Sequence, residues 1–244
     1  MNISSCGDDD GPLPGISGPA DASVNQLVHR VGDAERGQDV FRFETFGNEG
    51  FWTQLVQLPQ GIAAAGVTPA QALALGLSVD IERVPQNLRA TVEAEAATDL
   101  SQARAPNLNN PAITAALVEA NAIIGFSARN VVALNGSIDI SPDDVYAGES
   151  VGATCALCHA ITDGSVLDLA SGGSIGRRVD GPTNHHLNYG AIVATALNSR
   201  ALYPTLALRL AANNGMSLSR LGPGQRLVSA EATEIEVDAY LRDA

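Results

Sequence analysis

The residues with the plainest chemical meaning are Cys155-Ala156-Leu157-Cys158-His159. Two thiols separated by two residues, with an imidazole directly after, form the pattern by which c-type haem is attached to a chain. The spacing answers to geometry. One helical turn sets both sulfurs along one edge of a flat macrocycle, where each can close a thioether on a vinyl group. The next residue then brings a ring nitrogen under the iron. Rival readings use fewer of the three side chains. A redox dithiol follows a strand in a βαβ pattern, which the preceding GESVGAT does not suggest. A structural zinc site needs four ligands, and the remaining cysteine, Cys6, lies far away in a polar tail.

A motif of this kind needs helices to carry it. Ser141-Pro142-Asp143-Asp144 reads as a helix start: a capping hydroxyl, proline at the first helical position, and acids meeting the dipole. That helix is expected to run through Val145, Tyr146 and Val151 into the motif, with Gly148 and Gly152 for close crossing. Beyond His159, Ser171-Gly172-Gly173-Ser174 and Asp180-Gly181-Pro182 mark long polar loops that would wrap the haem edge. Arg177 and Arg178 lie on that stretch and could neutralise propionates with bidentate hydrogen bonds, or form a solvated basic pair. Tyr189 to Leu210 reads as helix interrupted at Pro204. A last helix, capped by Ser229, carries Val237, Tyr240 and Leu241 on one face.

Upstream, apolar spacing suggests a helix from about Ser23 to Phe46 and a short one from Phe51 that stops near Pro59. The only Trp, Trp52, stands beside four of the five Phe residues, a cluster expected to be core. Thr68-Pro69 opens a helix closing at Gly76, Val84-Pro85 opens another through Ala96, and Ala112 to Ala122 is a third. Residues 123–140, with β-branched runs and Asn135-Gly136, suggest a short hairpin. The expected fold class is mainly α, in three parts. Residues 1–22 are an acidic Gly/Pro tether, 23–140 a mostly helical region, and 141–244 a helical haem-carrying domain. Residues 23–140 carry no metal-ligand spacing, phosphate loop or nucleophile elbow.

Composition narrows the function. Fourteen basic residues, all Arg, against 27 acidic ones give a net charge of −13, which argues against nucleic acid and favours a partner with a basic docking patch. Aromatics make up 4% of the chain, and a buried porphyrin would supply part of the missing apolar bulk. Covalent haem attachment implies export, to the periplasm or the outer side of a bacterial membrane. Met1 to Gly7 nevertheless holds no apolar signal region. Ile3-Ser4-Ser5-Cys6-Gly7 resembles the end of a lipoprotein signal, so Cys6 is a candidate lipid anchor or, on the alternative, a stray thiol.

From Ser141 to Ala244 the order of features resembles a class I c-type cytochrome: CALCH, a Gly-Pro loop, a middle helix, a ligand loop, and a closing helix EIEVDAYL. Residues 37–52, GQDVFRFETFGNEGFW, are similar to segments preceding haem domains in some bacterial c-type cytochromes. The resemblance implies one covalently bound haem c, with His159 as proximal ligand and Pro182 as the proline whose carbonyl orients that imidazole. It also implies a sixth ligand from the loop before the last helix, where Met216 sits. His185 or His186 is the rival, and an open position the third choice. The function expected is single-electron transfer through Fe(III)/Fe(II). The alternatives are a haem enzyme or small-ligand sensor with an exchangeable sixth position, and an electron-entry subunit of a larger dehydrogenase.

Overall fold

The computed structural model describes residues 32–129, 150–202 and 233–243. Met216, Cys6, Asn135-Gly136 and the expected helix start at Ser141 fall outside them. Contacts gather residues 34–244 into one unit and residues 1–33 into another. Among the described residues helix makes up 45% and strand 14%, a mainly helical arrangement with short sheets.

Several helices begin where their capping chemistry says they should. After α1 (Ala34–Phe43) and a π-helical turn (Gly50–Leu55) come α2 (Leu58–Ala64) and α3 (Pro69–Ala74). Thr68 and Gln71 form a reciprocal capping box at the head of α3, and Gly76 ends its exit turn at φ +81°. The turn from Gly50 stops at Leu55, shortly before Pro59 as expected, and Pro59 sits in the first turn of α2, where its missing N–H costs nothing. α4 (Gln86–Ala96) and α5 (Pro111–Glu119) follow, the latter capped by the Asn110 side chain. The last helix, α8 (Glu234–Asp243), is capped by Thr233 and Glu236, which exchange side-chain and backbone hydrogen bonds; the expected cap Ser229 lies outside the described residues.

The strands depart most from expectation. β1 (Ser78–Asp80) pairs in parallel with β6 (Ser174–Gly176), which pairs antiparallel with β5 (Leu167–Asp168). β2 (Phe126–Arg129) is the expected first strand of the hairpin, but its partner is β3 (Ser150–Ala153). Val151 therefore lies in a strand and not in a helix running into the motif. Its N–H and carbonyl are both engaged by the Thr53 hydroxyl, and Gly152 lets Thr45 and Asn48 approach where a Cβ would collide. The expected wrapping loop after His159 is instead a run of short strands: β4 (Ala160–Thr162), β5, β6 and β7 (Arg178–Asp180), with β4 and β7 antiparallel. The expected helix from Tyr189 is, over its described part, a five-residue α7 (Tyr189–Val193), then turns and a 3₁₀ turn at Ser199–Leu202; residues 203–210 lie outside the described residues.

One apolar core runs through this unit. It takes in Val56, Leu73, Val92 and Leu117 from before residue 140, and Ile175, Val193, Val237 and Leu241 from after it. The β1–β6 and β2–β3 pairings likewise join the two sides of that position.

Candidate haem attachment site

The motif forms a single helical turn, α6 (Ala156–His159), with Cys155 at its N-cap. Its sequence divides the turn into two faces. Leu157 is in the main core, and Ala156 and Ala160 pack with Ile124 and Phe41 of α1. Cys155, Cys158 and His159 are exposed. Burial of the small and aliphatic members thus turns both thiols and the imidazole outward together.

Three supports hold the turn. On the inner side, Gly125 adopts φ +96° and lies so close that a Cβ there would come within 2.2 Å of the Leu157 Cα; its carbonyl also accepts from Thr154 N–H. At the entrance, the Asn48 side chain bonds both the N–H and the carbonyl of Ala153, extending β3 by a false strand. At the exit, Gly181 N–H donates to the His159 carbonyl at 2.8 Å and Asn184 N–H to the Cys158 carbonyl at 2.9 Å. These bonds satisfy end carbonyls that a one-turn helix leaves open. Pro182 lies between the two donors, so the chain from 181 to 184 is brought beside the motif. The β4–β7 pairing closes the sequence gap between them, with Ala160 opposite Asp180.

The two arginines are separated. Arg177 is exposed, with its guanidinium 3.7 Å from Glu82 and its N–H on Asp163. The Arg178 side chain is buried, at 3% exposure, and faces Asp80 at 3.2 Å. It is thus neither half of a solvated pair nor on an open loop. The Nε–Oδ2 approach is an ion contact more than an aligned hydrogen bond, since Arg178 Nε and Nη1 have no hydrogen-bond partner. Phe43 fills the space between Arg178 and Arg83, whose guanidiniums sit 5.1 and 4.3 Å from its ring. Beside them, Arg42 and Gln38 of α1 clamp Asp180 at 2.7 and 2.9 Å. Burial pushes the Asp80 carboxyl up, with Arg178 pulling it back, and burial lowers Arg178.

His185 and His186 are exposed and line a polar cleft with Asp163, Asp168, Thr162 and Asn184; no residue from 155 to 159 lines it. Sequence reasoning missed Asn48 and Tyr189 as neighbours of the motif. Asn48 reads as an ordinary turn residue, and only its pairing with Ala153, 105 residues away, gives it a role. The Tyr189 hydroxyl is pushed up, first by burial and then by the charge interaction with Cys158.

The residues present fit a covalent haem. Both thiols are free, and they stand on the same exposed side as the imidazole. The other readings fare worse. No group of three His, Cys, Asp or Glu among the described residues is placed to hold a metal ion, so a zinc half-site finds no second half there. A strand does precede the cysteines, contrary to expectation, but it belongs to a two-stranded antiparallel ribbon and not to a βαβ unit. No protein-family model, curated protein or solved structure matches this chain.

Proposed function

We propose that the chain is an exported monohaem c-type cytochrome, with the haem held by thioethers to Cys155 and Cys158 and by the His159 imidazole. The observation that carries this reading is the division of α6: three haem-competent side chains outward, Ala156 and Leu157 inward. When bound, the haem supplies one-electron chemistry between ferric and ferrous iron. The polypeptide's work is to hold the turn. Gly125 and Leu157 fix its inner face, Asn48 its entrance, and Gly181 and Asn184 its exit. Pro182 lies between Gly181 and Asn184, whose N–H groups bond the last carbonyls of the motif, and its own carbonyl would orient the imidazole. Arg177 keeps an exposed guanidinium for propionate contact. Met216 is our choice for the sixth ligand, and an acidic surface suits a redox partner with a basic patch. Cys6 would tether the chain to the membrane; among the described residues no helix is long and apolar enough to cross one.

The test is spectroscopic. The purified protein should interconvert between ferric and ferrous spectra with chemical reductant and oxidant, and should resist carbon monoxide because both axial positions are filled. Met216→Ala should keep the covalent haem and gain rapid carbon monoxide binding. A wild-type protein that binds carbon monoxide at once would move the reading to a ligand-binding sensor or enzyme.

A further inference from the structure

The chain has one tryptophan, Trp52, and it is buried at 8% exposure. Its indole meets Phe51 edge-on at 5.1 Å and Tyr189 edge-on at 6.3 Å. The three rings come from opposite flanks of the motif. Phe51 and Trp52 lie on the π-helical turn, which Thr53 ties to Val151 in β3, the strand that runs into Thr154 and Cys155. Tyr189 opens α7 at the end of the loop that leaves the motif. That loop is pinned by Asn184 N–H on the Cys158 carbonyl and by Asn188 N–H on the Leu75 carbonyl. The Trp52–Tyr189 contact therefore bridges the strand entering the motif and the loop leaving it.

This row is not sealed. Phe51 is 36% exposed, Tyr189 42% and the neighbouring Leu55 50%. Beside Cys155 the Thr154 hydroxyl is buried without a hydrogen-bond partner. Open aromatic surface on the elements that flank a motif with two free thiols offers a face to a flat apolar group, and a tetrapyrrole tethered at those thiols has that shape. Aromatic rings meet such a π-face well at an edge or with an offset.

We propose that Phe51, Trp52 and Tyr189 form one wall of the haem seat. Tyr189 touches the macrocycle beside Cys158, and Trp52 is a positioning residue that holds Tyr189 from behind. The proposal rests on the cytochrome reading and adds to it a role for the N-terminal half, which supplies the Phe51–Trp52 side of the wall.

Proton NMR of the haem-loaded full chain, recorded in both oxidation states, tests it directly. A single tryptophan gives a single indole N–H resonance. That resonance should shift between ferrous and ferric protein more than the backbone amides of α4, because the paramagnetic shift falls steeply with distance from iron. An indole unmoved between the two states would overturn the wall. A second arm compares Tyr189→Leu with Tyr189→Phe by Soret circular dichroism, at haem content measured as the pyridine adduct. The Leu variant should lose most of the wild-type Soret signal at equal haem content, and Phe should restore it. Equal Soret signals in all three would also overturn the wall. Wild-type protein without covalent haem would bring down the cytochrome reading and the wall together, whereas full haem with an unmoved indole brings down the wall alone.

Discussion

Asp80 and Arg178 are a pair whose value depends on both members being present. Each is almost fully buried, and each pays a desolvation penalty that their 3.2 Å contact offsets only in part. Removing one partner is worse than removing both. Arg178→Met should cost about 3–5 kcal/mol at neutral pH in chemical denaturation, because Asp80 is left as an uncompensated buried charge. Asp80→Leu with Arg178→Met should recover most of that loss. The sign of the pH dependence follows from the raised Asp80 carboxyl. A folded-state pKa above the unfolded one means that the proton stabilises the fold. This contribution is full below the ordinary carboxylate range and is lost as pH rises through the raised value. The deficit of Arg178→Met should therefore shrink as pH falls through that window, and a deficit constant with pH would contradict the assignment. At the motif itself, Cys155→Ala with Cys158→Ala should yield a chain without covalently held pigment, measured as absorbance after denaturation.

Elements were legible in the sequence where local chemistry decides them. The Thr68-Pro69 start of α3, the onset of α4 after Val84-Pro85, and the apolar stripe of α8 are set by residues within a turn or two of each other. So is the outward face of α6, because Ala and Leu between the cysteines mark the buried side. Apart from β2, the strands were not legible, for a physical reason. β4 to β7 are two or three residues long, too short for a period-two pattern to show. β1 joins β6 through Ser78 and Ser174, 96 residues apart, and no local propensity encodes such a partner. Gly and Ser in the segment from 171 to 176 read as loop chemistry, yet they allow close packing: a Cβ on Gly173 would strike the Leu73 carbonyl. Gly125 shows the same principle at the site. Gly125→Ala must both leave φ +96° and displace Leu157, so we expect a stability loss of more than about 1 kcal/mol. Haem yield per chain should fall with it. A variant matching wild type in both would mean that the motif turn is held from elsewhere.

For the whole molecule, charge and connectivity matter most. Strand pairings and a shared core bind residues on both sides of position 140, so the segment carrying the motif and the segment carrying Trp52 depend on each other. The surface carries a net charge of −13, and its long-range field should steer cationic reactants. Reduction or oxidation by a small cationic reagent should slow as salt is raised, since the screening length falls from roughly 30 Å at 0.01 M to about 8 Å at 0.15 M. An anionic reagent should speed up over the same range in stopped-flow traces. The claim beneath all of this is that a tetrapyrrole is bonded to Cys155 and Cys158. Intact mass of protein from a haem-loading, exporting host, taken after acid denaturation and extraction with organic solvent, tests that claim most directly. The account predicts one haem mass added to the chain, absent from the double cysteine variant. A wild-type chain at its polypeptide mass, with pigment absent or released into the solvent, would contradict it.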